Sequence, residues 1–245
     1  MSTMDFVILS LAFLWSGFVR TGFGFGGTAL MLPFALLAVD TPLIIVPLIA
    51  LQSIIFSIST VAKNYKSINY KFLTYLFAIL AIPVSVGLMG LVTLSDKMLM
   101  SIAYGIVLIY AIGYILPLEV KINTKWIDIP LLACGGYMMG VAFTGSPVIV
   151  AVAMRHLPKE QLRDTLLAVW IIIAVVKLIS LWILGISLHL NMQLWLLPMV
   201  LVGHVTGIFF HSNILKWKGK RFYQLLGTML LIVTIIGLAK NFDLI

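Results

Sequence analysis

Two glycine-rich stretches decide how this chain folds: residues 17–28 read GFVRTGFGFGGT, and residues 136–147 read GYMMGVAFTGSP. Each lies inside a long apolar segment, and we refer to them as the first hinge and the second hinge. Glycine in a helix interior costs about 1 kcal/mol relative to alanine, and proline costs about 3 kcal/mol. The hinges therefore predict helices that break within apolar sequence, where the freed backbone groups need other partners.

The composition is that of an integral membrane protein. Hydrophobic residues make up 62% of the 245 residues and charged residues 10%, with a mean hydropathy of +1.16, whereas soluble domains carry about 25% charged residues. Eight apolar stretches, most of them near the ~20 residues that cross a bilayer, cover nearly the whole chain: 6–39, 42–62, 72–94, 98–117, 126–154, 165–184, 192–211 and 222–239. We therefore expect an all-α membrane protein with a single transmembrane domain.

The short loops exclude several other classes of protein. They leave no room for a soluble catalytic or nucleotide-binding domain, so we expect no enzymatic activity. The net charge of +8 comes from basic residues between apolar stretches, where the positive-inside bias explains them, and no nucleic-acid partner is predicted. The single cysteine, Cys134, excludes an intrachain disulfide and a cysteine-rich metal site, and we expect it to pack in the protein interior.

The two halves of the sequence resemble each other. The second hinge aligns with the first at a shift of 119 residues, which matches Gly26 with Gly145. After a five-residue insertion, Asp40-Thr41 aligns with Asp164-Thr165, and each pair is expected to cap the start of a helix. The sequence thus predicts an internal repeat formed by residues 1–117 and 126–245.

Basic residues distinguish two membrane topologies. If all eight stretches cross the membrane, the Lys and Arg residues outside the spans divide six to eight between the two faces. If the stretch 126–154 enters and leaves on one face as a hairpin of two short helices, the division becomes twelve to two, with Lys97 and Lys240 opposite the rest. The positive-inside rule favours this hairpin, and symmetry predicts another at 6–39. The result is inverted repeats with six full spans plus two hairpins; eight full spans are the alternative.

Two cations lie inside apolar stretches: Arg20 in the first hinge and Lys177 in the stretch 165–184. A cation at the bilayer centre costs at least about 2.5 kcal/mol and usually marks a substrate or ion path. No Asp or Glu lies in the middle of a stretch to neutralise either one, so a bound anion is the expected counter-charge. Snorkelling is the alternative explanation for Arg20, and close helix packing is that for the glycines.

The predicted substrate site combines these cations with the hinges, because backbone N–H groups at the start of a helix bind anions. Gln52 and Ser53 join the site because Ser53 aligns with Lys177 at a shift of 124 residues. The complete set is Arg20, Lys177, Gly24, Gly26, Gly27, Thr28, Thr144, Gly145, Ser146, Gln52 and Ser53. Pro147 suits the first turn of the helix that follows. His204, which shares a helix face with His211, is a candidate for proton handling; no metal and no cofactor is predicted.

The segment 16–33, with its glycines and closing Pro33, resembles the glycine-rich signature of the TauE/SafE sulfite exporter family. The run 135–150, followed by Arg163-Asp164-Thr165, is similar to the second-half copy in that family. Three residues depart from the pattern: Thr28 and Ser146 stand where glycine is common, and Arg20 stands among residues that are usually small or apolar.

The resemblance implies transport of small, chiefly sulfur-containing anions, such as sulfite and organosulfonates, across a bacterial inner membrane. We therefore expect a multi-pass secondary transporter that works by alternating access. Its expected partners are a small anion, the lipid bilayer and a coupling ion, for which a proton and sodium are both open. A passive anion channel and a membrane scaffold without transport activity are the alternatives.

Overall fold

The computed structural model describes residues 2–23, 26–116, 125–214 and 220–244. Within these ranges the regular structure is helical, with two short 3-10 turns at Tyr65–Ser67 and Lys125–Ile127. The α-helices are α1 (Thr3–Phe23), α2 (Gly27–Ala38), α3 (Pro42–Lys63), α4 (Tyr70–Thr93), α5 (Asp96–Ile115), α6 (Asp128–Ala142), α7 (Ser146–His156), α8 (Lys159–Ile183), α9 (Leu190–Ile214) and α10 (Lys220–Asn241). Among the described residues, seven helices are long and apolar enough to cross a membrane: α1, α3, α4, α5, α8, α9 and α10. The predicted fold class, an all-α membrane protein, is confirmed.

Both predicted helix breaks are present. The first apolar stretch divides into α1 and α2, and the second hinge separates α6 from α7. Gly26 precedes α2 with a φ of 78°, a left-handed conformation that glycine adopts without steric cost. Phe143 follows α6 with a φ of 57°, which is unusual for a bulky residue.

The helices α6 and α7 form an antiparallel hairpin. At its closed end, a Cβ on Gly145 would lie 2.7 Å from the carbonyl carbon of Gly135. At its open end, the buried Asp128 carboxylate forms an ion pair with Arg155, whose Nη2 lies 2.7 Å from Oδ1, and its Oδ2 lies 2.7 Å from His156 Nε2. The first residue of α6 therefore lies beside the last residues of α7. At 1.5 Å per residue, 15 and 11 residues give lengths of about 23 and 17 Å, as expected for a hairpin of short helices.

The helices α1 and α2 also pack together, but their lengths differ from the expectation. Gly27 lies against Arg20, since an added Cβ would be 3.1 Å from the Arg20 Cβ, and Val19 and Leu30 share an apolar cluster. However, α1 has 21 residues and α2 has 12. Because 21 residues extend about 31 Å, α1 has the length of a full span and only α2 is short.

The chain divides into two compact units, which do not coincide with the two sequence halves. One unit contains α1, α2, α5, α10 and α9 from Pro198 onward. The other contains α3 from Leu43, α4, α6, α7, α8 and α9 up to Leu197. Each unit thus takes helices from both predicted repeats, so contacts distant in sequence hold each one together.

Glycines allow close helix packing in both units. A Cβ on Gly87 of α4 would collide with the Tyr137 carbonyl oxygen and lie 2.9 Å from the Val141 nitrogen of α6. A Cβ on Gly207 of α9 would lie 2.8 Å from the Phe18 carbonyl oxygen and 3.2 Å from the Gly22 nitrogen of α1. Small residues at such positions let helix backbones approach each other, which drives helix association where apolar burial contributes little.

Two expectations about individual residues are wrong. Asp164 and Thr165 do not open a helix, because α8 begins at Lys159 after the N-cap residue Pro158; Thr165 Oγ1 instead accepts from the Asn69 N–H at 2.9 Å. Lys177 is central in the apolar stretch 165–184, but it lies in the last third of α8, because α8 begins earlier than that stretch. Cys134 is exposed and not packed in the interior.

Candidate functional site

The second hinge presents the start of α7 without a side-chain cap. Gly145 is the N-cap residue, Ser146 begins the helix, and Pro147 lies in its first turn, as predicted. A Gly145 N-cap has no side chain with which to accept the first-turn N–H groups, which lack partners within the helix. Thr144, Gly145 and Ser146 are all buried, so these donors lie in the protein interior, where an anion is the complementary partner.

Thr144 uses its hydroxyl within the hinge itself. Thr144 Oγ1 donates to the Met138 carbonyl oxygen at 3.4 Å, and the Thr144 N–H donates to the same oxygen at 3.4 Å. Both bonds close the turn at the C-terminal end of α6, where the Phe143 N–H also donates to the Met138 carbonyl oxygen. In this structure Thr144 therefore stabilises the turn, while Ser146 stands at the start of α7.

Lys177 of α8 is fully buried and lies at this hinge. Its Nζ atom is 4.0 Å from the centroid of the Phe143 ring, and Phe143 is the residue that ends α6. Among the described residues, no hydrogen-bond acceptor contacts Nζ. A cation–π contact attracts an ammonium group to the ring face without occupying its N–H donors. The three donors of Lys177 thus remain available to a ligand.

Gln52 and Ser53 of α3 lie buried in the same unit. Gln52 Nε2 donates to Gln193 Oε1 of α9 at 3.4 Å, and Gln193 Nε2 donates to the Leu48 carbonyl oxygen at 3.5 Å. Gln52 Oε1 and the nearby Ser57 Oγ have no hydrogen-bond partner among the described residues. No hydrogen bond between described residues joins this group to Lys177.

The other unit repeats the combination of an uncapped helix start and a cation. Gly26 precedes α2 without a side-chain cap, and Gly27 and Thr28 form its buried first turn. Arg20 lies beside Gly27 in the last turn of α1, with Nη2 donating to Ser16 Oγ at 3.4 Å. Arg20 Nη1 is enclosed and has no partner among the described residues. Because Arg20 lies in the last turn of α1, its positive charge also interacts favourably with the negative C-terminal end of the helix dipole.

His204 of α9 contacts Thr21, the residue that follows Arg20 in α1. The distance between Thr21 Oγ1 and His204 Nδ1 is 2.6 Å, which joins α1 to α9. Which of the two atoms donates in this hydrogen bond depends on which ring nitrogen of His204 carries the proton. The side chain of His211, predicted to share this face, lies outside the described residues, as does Gly24 of the predicted site.

The predicted site residues therefore divide between the two units. Lys177, Thr144, Gly145, Ser146, Gln52 and Ser53 belong to one, and Arg20, Gly26, Gly27 and Thr28 belong to the other. Sequence reasoning missed Phe143 and Gln193, both of which contact predicted site residues. Gln193 carried a usable signal, since it is a polar residue in the apolar stretch 192–211. Phe143 carried none, because it looks like any other apolar residue.

The helices define a multi-pass membrane protein, and broken helices together with buried cations are found at the substrate sites of secondary transporters. Residues 9–237 match the family model described as Sulfite exporter TauE/SafE. The match covers nearly the whole chain, and the protein belongs to this family of membrane transporters. No curated protein and no solved structure gives a significant match.

Proposed function

We propose that this protein is a secondary transporter that moves a small anion, such as sulfite or an organosulfonate, across a bacterial inner membrane by alternating access. The observation that carries the proposal is Lys177. It is fully buried, it has no hydrogen-bond acceptor among the described residues, and it lies at the turn that leads into α7. Because a buried cation without a counter-charge is costly, a bound anion is its natural partner.

The start of α7 supplies the second half of the anion site. The N–H groups of Ser146 and Val148 lie in the first turn, where the helix dipole favours negative charge, whereas Pro147 has no N–H to offer. An anion held here accepts hydrogen bonds from the backbone and from Lys177 together. Arg20 and the first turn of α2 offer an equivalent set of donors in the other unit.

We also propose that the two halves of the chain are inverted repeats. Gly87 faces the backbone of Tyr137, Gly140 and Val141, while Gly207 faces Phe18, Thr21 and Gly22. The three residues in the first set follow those in the second by 119 positions, the shift that aligns the hinges. The same glycine contact in both units supports the repeat. The hairpin of α6 and α7 supports the inverted orientation of its halves, because the positive-inside rule favours inverted repeats when residues 126–154 form a hairpin.

His204 is our candidate for coupling anion movement to protons. Its hydrogen bond to Thr21 places a titratable ring next to the residue that follows Arg20. Histidine changes charge within the physiological pH range, so its protonation state can respond to a pH gradient. Sodium is the alternative coupling ion, and the dependence of flux on each gradient distinguishes the two.

The test is sulfite flux into proteoliposomes that contain the purified protein. We expect saturable flux that is lost in Lys177→Gln and Arg20→Gln, whereas Lys97→Gln, a change at an exposed lysine, leaves it intact. Unchanged flux in both buried-cation variants would refute the site. Flux that neither saturates nor depends on an ion gradient would indicate a channel, and no flux with any small anion would indicate a scaffold.

A further inference from the structure

Phe143 occupies a conformation that its residue type does not favour. It ends α6 with a φ of 57° and is 3% exposed. Glycine or asparagine is the usual residue in a left-handed helix end, because a side chain there meets the backbone. The hinge alignment matches this position with Gly24 of the first hinge. A simple turn therefore does not require phenylalanine, and its ring needs a separate explanation.

The ring supplies the electrostatic partner that the Lys177 ammonium otherwise lacks. The negative face of an aromatic ring attracts a cation, most strongly where water is excluded, and the distance of 4.0 Å from Nζ to the ring centroid is well within range. A carboxylate at this position would bind the ammonium through its N–H groups and compete with an anion. A ring leaves those N–H groups free.

We propose that Phe143 is a positioning residue of the anion site, which holds the charged Lys177 ammonium at the hinge while leaving its donors open to the substrate. This inference rests on the proposed function, because it assigns Phe143 to the same site. The π-face of the ring, rather than its volume, is the property that raises anion affinity. The hydrocarbon ring also keeps water away from the ammonium, which strengthens its attraction for an anion.

The experiment measures sulfite affinity in purified protein whose Phe143 is replaced by mono-, di- and trifluorophenylalanine. Fluorination weakens the negative face of the ring in steps and nearly preserves its shape. We expect affinity to fall stepwise, by about tenfold or more at trifluorophenylalanine, since a desolvated cation–π contact accounts for roughly that factor. Apo melting temperature is measured in parallel, and we expect at most a decrease of a few degrees, because the same contact also stabilises the unliganded protein.

Phe242 is the matched control. Its ring also lies over a lysine, with Lys97 Nζ 5.9 Å from the ring centroid, but this pair is exposed. Trifluorophenylalanine at position 242 should leave sulfite affinity unchanged. Phe143→Leu provides a second variant, which fills part of the same space without a π-face and should lose affinity to a similar extent.

The outcomes separate this inference from the proposed function. Affinity that is lost in Lys177→Gln but unaffected by fluorination at Phe143 would overturn the role of the ring alone. Affinity that is unaffected by Lys177→Gln, or no sulfite or methanesulfonate binding to the unaltered protein, would overturn the proposed site and the role of Phe143 with it. A stepwise loss at position 143, with none at position 242, supports the proposal.

Discussion

Replacing Lys177 with methionine removes the buried ammonium and keeps an unbranched side chain of similar length. Placing lysine at a helix centre in the membrane costs about 2.5–3.5 kcal/mol, and this is an upper limit for Lys177, which lies in the last third of α8. A desolvated cation–π contact such as that with Phe143 returns about 2 kcal/mol. The balance is a cost of at most about 0.5–1.5 kcal/mol in the protein without ligand. We therefore expect Lys177→Met to match the native protein in stability or to exceed it by no more than that amount, about 1–6 °C in Tm.

The assay pairs thermal unfolding of the purified protein with sulfite flux in proteoliposomes. We expect Lys177→Met to lose flux while its Tm stays level or rises, because the cation serves the ligand and not the fold. The control is Lys97→Met, which removes an exposed lysine whose Nζ lies 2.8 Å from Asp243. Exposed ion pairs contribute about 0–1 kcal/mol, so this variant should keep both its flux and its Tm.

One result would refute this reasoning. If Lys177→Met lowered Tm by several degrees and the surviving folded protein still transported sulfite at the native rate, Lys177 would be a structural residue. Its contact with Phe143 would then stabilise the folded hinge and would have no role in binding an anion. The anion site would have to lie elsewhere in the protein.

Three further predictions concern other parts of the two units. Gly26→Asp should abolish sulfite binding measured by thermal shift, because the new carboxylate lies at the start of α2. A Cβ at Gly26 would meet no atom of the described residues within 4 Å, and Asp and Asn tolerate its φ of 78° better than other side chains do. The uncharged Gly26→Asn should bind sulfite, and equal loss in both variants would contradict the charge argument. Asp128→Asn should lower the free energy of unfolding by about 2 kcal/mol, below the full value of a buried pair because the side chains of Arg155 and His156 are each 30% exposed; an equally large loss in Asp243→Asn would argue against it. His204→Gln should flatten the pH dependence of flux over about pH 5 to 8, and an unaltered pH profile would exclude His204 from coupling.

Local features of the fold were predictable from the sequence. The hydropathy stretches located the helices, and the glycine and proline residues located both breaks, because backbone preferences act over a few residues. The start of α8 was missed since residues 159–164 are largely polar and fall outside the apolar stretch. The length of α1 was missed because the symmetry argument divided its stretch into equal halves.

Contacts distant in sequence were not predictable. The partner of Lys177 is a phenylalanine 34 positions earlier, and apolar residues of that kind fill every stretch of this chain. The Asp128 carboxylate was likewise not singled out from the sequence, although it joins the two ends of a hairpin. Both pairings follow from how helices pack, which a single sequence specifies only through many weak interactions.

The choice of residue before α2 and α7 links the fold to the proposed chemistry. Ser, Thr, Asp and Asn are the residues that best cap a helix start, because each accepts a hydrogen bond from a first-turn N–H. Both hinges have glycine there instead, with φ values of 78° at Gly26 and −72° at Gly145. A positive φ would strain most other residues, so backbone conformation explains the glycine at position 26 but not the one at position 145. At Gly145, contact with Gly135 excludes any side chain. Two different local causes thus leave the same result in each unit, a buried helix start without a side-chain cap, and this is the feature that the proposed function assigns to an anion.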